Sequence, residues 1–86
     1  MSKLMYFYLK TCPYCIEAER WVGGLRKRDP KYAAVEIEYI EESEQKELAD
    51  SYDYYYVPTY FLDGKKLHEG AATEAKIKAV LDAALR

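Results

Sequence analysis

Cys12-Pro13-Tyr14-Cys15 contains both cysteines of this 86-residue chain and is the stretch that decides its fold. Two residues between the thiols allow a small-ring disulfide to close when a helix begins at the first cysteine. The unpaired backbone N–H groups and the positive end of the helix dipole then stabilise a thiolate on Cys12. Because a thiolate beside a second thiol attacks a disulfide and then releases the mixed disulfide, the motif predicts redox chemistry. The competing interpretation is a passive disulfide or an inert pair.

The length and composition around this motif predict one soluble globular domain, residues 1–86. Hydrophobic residues make up 50% of the chain and charged residues 33%, a balance that argues against disorder. The net charge of −2 argues against a nucleic-acid partner. A central run of glutamates predicts an acidic, solvated face: Glu36, Glu38, Glu41, Glu42, Glu44 and Glu47.

No segment of the sequence has the pattern of a secretory signal or a membrane span. The apolar run at residues 4–9 has no small-residue cleavage site behind it and is far shorter than the roughly 20 residues of a spanning helix. We therefore expect a cytoplasmic protein with no membrane partner. In a reducing compartment a lone cysteine pair is more plausibly catalytic or metal-binding than structural. Two cysteines and a single histidine cannot complete a zinc site within one chain, so no metal is expected.

The first half of the chain predicts the order strand, helix, strand, helix. Residues 4–9 are apolar and aromatic, as in a buried strand, and Asp29-Pro30 ends the helix that follows. That helix is recognised by apolar residues at helical spacing: Ala18, Trp21, Val22 and Leu25. Residues 35–40 alternate as a half-exposed strand near a sheet edge does. Ser43 is the expected cap of a second helix of roughly ten residues that runs toward Tyr52.

The second half predicts a hairpin and a last helix. Thr59–Leu62 reads as a strand, Asp63-Gly64 is a strong hairpin turn signal, and the chain returns through residues 66–68. Thr73 is the expected cap of a final amphipathic helix. The fold class is therefore α/β, in the order β-α-β-α-β-β-α, with a four-stranded mixed sheet and helices on both faces.

The cysteine motif, the element order and Val57-Pro58-Thr59 together resemble the thioredoxin superfamily, and the dithiol glutaredoxins most closely. The resemblance implies a thioredoxin-like fold for essentially the whole chain. Tyr6 and Thr11 stand where thioredoxins carry a buried acidic residue and a tryptophan, which favours glutaredoxin. In contrast, the segment 70–73 looks more like thioredoxin, and Glu69 stands where glutaredoxins have the first glycine of a pair.

The resemblance implies a role for each residue around the thiols. Cys12 would be the nucleophile and Cys15 the resolving thiol. Pro58 would be cis and face the thiols, while the backbone of Val57 pairs with the substrate like a short strand. Tyr14 would shield the thiols and flank the substrate. An ordinary trans proline at a strand start is the alternative for Pro58.

The same resemblance implies a glutathione site. Lys10, Thr11, Gln45 and Thr73 are the candidates to bind the peptide, with the helix N-terminus at Thr73 holding a carboxylate. The alternatives are a solvated lysine, a surface glutamine and a plain helix cap. The tyrosine-rich residues 52–56 form either an aromatic docking wall or an ordinary alternation of buried and exposed rings.

The predicted function is that of a glutathione-dependent thiol–disulfide oxidoreductase, monomeric and without a bound cofactor. Glutathione would be the co-substrate, and disulfide-containing proteins or glutathione mixed disulfides the partners. The main alternative is a thioredoxin-like protein reduced by a flavoprotein reductase. Further alternatives are a glutathione-dependent iron–sulfur cluster shared between two chains and a binding module without redox activity.

Overall fold

The computed structural model describes residues 3–86; Met1 and Ser2, part of the predicted domain, lie outside the described residues. The elements run in this order: β1 Leu4–Tyr8, α1 Pro13–Arg28, a short 3-10 helix Pro30–Ala34, β2 Ile37–Glu41, α2 Lys46–Asp50, β3 Thr59–Leu62, β4 Lys65–Glu69 and α3 Glu74–Ala84. The predicted order β-α-β-α-β-β-α is confirmed, with the 3-10 helix added. Within the described range, no helix is both long and apolar enough to cross a membrane.

The four strands form one mixed sheet in the order β2-β1-β3-β4. β1 and β2 are parallel because α1 carries the chain back across the sheet between them. β3 runs antiparallel to β1, with Thr59 opposite Phe7. The end of β1, which leads to Cys12, therefore lies beside the start of β3, which follows Pro58. The sheet thus brings the two predicted parts of the site to one edge.

The hairpin between β3 and β4 forms at the predicted turn. Asp63 has a φ of 51° and Gly64 a φ of 85°, so both central residues adopt left-handed backbone. Two such residues in a two-residue loop match the twist of the flanking strands. Asp tolerates this conformation and Gly adopts it without a steric cost, which explains why this dipeptide forms the turn.

Successive residues of β1 point to opposite faces of the sheet, and each face has its own core. Tyr6 lies under α1 and α3, which contribute a continuous set of buried residues: Ala18, Val22, Leu25, Ile77, Val80 and Leu81. Phe7 lies on the other face with Ile40 and Phe61, under Ala49 of α2. The prediction of helices on both faces is confirmed.

Two local expectations were wrong, and Glu41 explains both. Ser43 does not cap α2, which spans only Lys46–Asp50; the cap position is Gln45, without a side-chain hydrogen bond. Instead the Ser43 amide and hydroxyl both donate to Glu41 Oε1, at 2.7 and 2.6 Å. This turn occupies the residues expected to begin the helix. Glu41 itself is only 6% exposed, so it does not belong to the predicted solvated acidic face.

Candidate dithiol site

Cys12 is the N-cap residue of α1. Its extended backbone (φ −80°, ψ 119°) precedes Pro13, which occupies the first helical position and has no N–H to satisfy. The Cys12 carbonyl accepts the amides of Cys15 and Ile16, each at 3.0 Å, while its own side chain makes no capping bond. The partly exposed thiol therefore stands at the positive end of the dipole of a 16-residue helix.

Cys15 lies one turn into the same helix and is 2% exposed. Burial raises the pKa of its thiol to about 12; a hydrogen bond from the Leu9 backbone opposes this shift, and the neighbouring Cys12 side chain adds to it. The Tyr6 hydroxyl donates to the Cys15 carbonyl at 3.1 Å and ties this turn of α1 to β1. At neutral pH Cys15 is therefore a protonated thiol behind a more accessible Cys12, which fits the predicted order of attack.

The segment before β3 forms the second side of the site. The peptide bond between Val57 and Pro58 is cis, as predicted. The Pro58 carbonyl accepts the amide of Gly70 at 2.8 Å, which fixes this segment to the turn after β4. Among residues 3–86, neither the N–H nor the C=O of Val57 has a hydrogen-bond partner. Both groups are thus available to an incoming extended peptide.

Glu69 holds the backbone of that segment. Its Oε2 accepts the amides of Tyr55 and Tyr56 at 2.5 and 3.0 Å, and its Oε1 pairs with Lys66 Nζ at 2.7 Å. Lys66, followed by the two amides, lowers the pKa of Glu69 to about 2. Lys66 also donates to the Asp53 carbonyl at 3.1 Å. The glutamate that departs from the glutaredoxin pattern therefore anchors the loop before the cis-proline.

Glu41 likewise holds the backbone of the loop before Cys12 in place. Its Oε2 accepts the backbone amide of Lys10 at 3.0 Å, while Oε1 takes the two donors of Ser43. The Ser43 hydroxyl, followed by the Lys10 amide, lowers the pKa of Glu41 to about 2. The roles of Glu41 and Glu69 were not predicted, since the bonds from Glu41 to Lys10 and from Glu69 to the two tyrosine amides join residues distant in the chain. The only available signal was a glutamate at position 69 where glycine is expected.

We predict that acid destabilises the protein through these two carboxyls. Both have a folded pKa of about 2, below the roughly 4.3 of a glutamate in an unfolded chain. The unfolded state then binds more protons, so their contribution is complete above about pH 5 and is lost as the pH falls toward 2. Urea unfolding between pH 2 and 7 measures this loss. Glu41→Gln and Glu69→Gln should each flatten the pH dependence, and a double variant with the wild-type slope would contradict the assignment.

The residues proposed to bind glutathione differ in how far they already pair with other residues of the protein. Lys10 Nζ pairs with Glu44 Oε2 at 2.6 Å, which brings it to the turn that carries Gln45, itself exposed. Thr73 caps α3, and its Oγ1 accepts the Lys76 amide at 3.2 Å, as the helix-cap prediction requires. Thr11 is exposed directly before Cys12. Their role in binding glutathione stays a prediction.

The tyrosine-rich segment 52–56 divides into two parts. Tyr52 and Tyr54 pack on Phe7, with ring centroids at 5.0 and 4.9 Å. Tyr55 and Tyr56 are 86% and 70% exposed, directly before Val57. Tyr14 and Ile16, on the first turn of α1, are also more than half exposed. Apolar side chains therefore project from the first turn of α1 and from the loop before Val57.

The described residues contain no cluster of three or more side chains suited to hold a metal ion. Cys12 and Cys15 are both free thiols.

A mixed four-stranded sheet, a helix-capping cysteine followed by a buried one, and a cis-proline at the same edge of the sheet define a thioredoxin-like fold. Residues 7–82 match the family described as a thioredoxin domain. A thioredoxin of Methanocaldococcus jannaschii is 35% identical over 79 residues, which cover 91% of each chain. The chain belongs to the thioredoxin-domain family.

Solved structures of thioredoxins have a similar fold. A mutant thioredoxin from Halobacterium salinarum NRC-1 has a TM-score of 0.71 and 26% identity, with 99% of this chain and 75% of that chain covered. The germline-specific thioredoxin Deadhead from Drosophila melanogaster has a TM-score of 0.73 and 21% identity, with coverage of 95% and 79%, a likeness of fold alone. The predicted superfamily is confirmed. These relatives are named thioredoxins, so they give no support to the finer prediction of a glutaredoxin.

Proposed function

We propose that the protein is a thiol–disulfide oxidoreductase whose oxidised form is reduced by a flavoprotein reductase. The main support for an oxidoreductase is the unequal exposure of the two thiols. Cys12 is partly exposed at the positive end of α1, whereas Cys15 is 2% exposed behind it. A disulfide of a partner protein can reach only Cys12, and Cys15 is held where it can attack Cys12 from within.

The reaction proceeds in two exchanges. The Cys12 thiolate attacks one sulfur of the partner's disulfide, and the other partner sulfur leaves with the electron pair and takes a proton from water. The Cys15 sulfur, after losing its proton, then attacks Cys12 Sγ. The Cys12–Cys15 disulfide forms, and the first partner sulfur leaves as a thiolate. Two electrons have passed to the partner, and the reductase returns two electrons to the protein.

The surface around the thiols supports a protein as the substrate. The free N–H and C=O of Val57 suit an extended peptide, which adds to them as a short strand would. Tyr14, Tyr55 and Tyr56 supply exposed aromatic area on both sides. A small disulfide would use little of this surface.

Glutathione as the reductant is the second candidate. Cys-Pro-Tyr-Cys, together with Tyr6 and Thr11, favours it through the resemblance to glutaredoxins. Against it, Lys10 is paired with Glu44, Thr73 serves as a helix cap, and Glu69 replaces a glycine of that pattern. The thioredoxins among the relatives also favour the reductase. A monomeric, cytoplasmic protein without nucleic-acid or membrane partners, and without a bound cofactor or metal, stays a prediction.

Parallel turnover assays with an insulin disulfide test the reductant. One assay contains NADPH and thioredoxin reductase, and the other NADPH, glutathione and glutathione reductase. We expect NADPH oxidation at least about 10-fold faster in the first, with Cys12→Ser as the inactive control in both. The reduction potential provides a second measurement that does not depend on the choice of reductase. A value near the −270 mV of thioredoxins supports the proposal, and one between about −200 and −230 mV supports glutathione.

A further inference from the structure

A cavity of about 260 Å³ opens beside the buried thiol. Its lining includes Tyr6, Tyr8, Lys10, Cys15 and Glu19. Cys15 and Glu19 lie four residues apart on α1, so their side chains are neighbours on one face of the helix. This volume has room for several water molecules, each of which occupies about 30 Å³. Cys15 and Glu19 therefore border one space that water can enter.

Glu19 is half-buried at this cavity. The Tyr39 hydroxyl donates to both of its oxygens, at 3.0 and 3.1 Å. Burial raises the pKa of Glu19, while the Tyr39 bond and the charge of Arg26 oppose that shift. The groups that face Glu19 come from several elements: Cys15 and Arg26 on α1, Tyr6 and Tyr8 on β1, Tyr39 on β2, Tyr60 on β3 and Lys10 in the loop after β1.

Some of these groups have a hydrogen-bond partner, whereas Arg26 Nε and the Tyr60 hydroxyl have none among the described residues. Lys10 is committed to Glu44, and Tyr6 donates to the Cys15 carbonyl. The Tyr60 hydroxyl is fully buried and has no hydrogen-bond partner among the described residues. Tyr60 does not line the cavity, so water there is held by the polar side chains that do: Tyr8, Lys10 and Glu19. The polar surroundings of Glu19 are thus suited to hold water beside the thiol.

Cys15 requires a base to act as the second nucleophile. Burial raises the pKa of its thiol far above neutral, so Cys15 is protonated at pH 7. Capture of Cys12 in a mixed disulfide removes the contribution of the Cys12 side chain to this shift, but the burial of Cys15 remains. The second exchange therefore depends on a group that takes the Cys15 proton as attack begins.

We propose that Glu19 is the catalytic base of the second exchange and accepts the Cys15 proton through water in the shared cavity. The Glu19 carboxylate becomes a carboxylic acid as Cys15 Sγ attacks Cys12 Sγ. The bond between Cys12 and the partner sulfur breaks, and that sulfur leaves as a thiolate. Glu19 then returns its proton to solvent through the open cavity. The inference rests on the proposed dithiol function and adds a residue to it.

Stopped-flow reaction of the reduced protein with dithiobis(nitrobenzoate) tests the proposal. Attack by Cys12 releases a first coloured thiolate, and resolution by Cys15 releases a second. Glu19→Gln, which keeps the size of the side chain, should slow the second phase about 100-fold at pH 7 and leave the first unchanged. The difference should shrink as the pH rises, because hydroxide then removes the proton. Glu17→Gln, the same change at an exposed position of the same helix, should match the wild type.

Other outcomes separate the possible failures. A wild-type second phase in Glu19→Gln, or an equal loss in both phases, would overturn the role of Glu19. A single released thiolate from the wild-type protein, as expected only for Cys15→Ser, would instead overturn the dithiol function itself.

Tyr39→Phe gives an independent test that leaves the carboxyl in place. It removes a hydrogen bond that lowers the pKa of Glu19, so the low-pH decline of the second phase should move to higher pH. A purely structural role for Glu19 predicts no such movement. An unchanged profile would therefore count against the base.

Discussion

Cys12→Ser will lower disulfide reduction by about 1,000-fold or more, whereas Cys15→Ser will keep the first exchange and stop at the second. The difference follows from exposure, since only Cys12 is accessible and Cys15 is 2% exposed. A serine hydroxyl is not ionised at neutral pH and cannot replace the thiolate.

Mass spectrometry after reaction with a disulfide protein measures both outcomes. We expect Cys15→Ser to accumulate a covalent adduct that dithiothreitol releases, and Cys12→Ser to form none. The double variant is the control for adducts at other positions. An adduct on Cys15 in the Cys12→Ser protein, formed at the wild-type rate, would reverse the assigned roles.

Phe7→Ala will lower the free energy of unfolding by about 3–5 kcal/mol, the usual cost of deleting a buried aromatic ring. Phe7 is fully buried and contacts the rings of Tyr52, Tyr54 and Phe61 at 5.0, 4.9 and 5.7 Å between centroids. Its removal opens a cavity between the sheet and the tyrosine-rich segment. A domain of this size has about 4–13 kcal/mol in total, so the loss is a large share.

Urea unfolding followed by far-UV circular dichroism measures this change. The matched control is Tyr55→Ala, which removes a similar ring from the tyrosine-rich segment but from a side chain that is 86% exposed. We expect the control to remain within about 0.5 kcal/mol of the wild type. A loss below about 1 kcal/mol in Phe7→Ala would show that the α2 face of the sheet contributes little to stability.

The parts of the fold that the sequence predicted are those set by local chemistry. The Asp63-Gly64 turn, the Thr73 cap and the strand Thr59–Leu62 each depend on residues close together in the chain. The dithiol motif is equally local, since Cys12, Pro13 and Cys15 share one helical turn. The cis bond before Pro58 was predicted through the resemblance to a family.

The parts that were not predicted depend on contacts between distant residues or, at Ser43, on a local bond that competes with the helix cap. Ser43 has the chemistry of a helix cap, but Glu41 takes its donors and delays the helix. Glu69 accepts the amides of Tyr55 and Tyr56, which are 14 and 13 positions away, and no sequence periodicity predicts such bonds. Glu19 reads as an ordinary polar position of an amphipathic helix until the sheet places Tyr39 against it.

Glu69 has a consequence for how this protein can diversify. Because a carboxylate on β4 holds the amides of Tyr55 and Tyr56, the shape of that loop does not depend on the loop's own exposed rings. These two positions can therefore change without loss of the scaffold. Under the proposed function these rings contact the partner, so its identity could change at little cost to the fold.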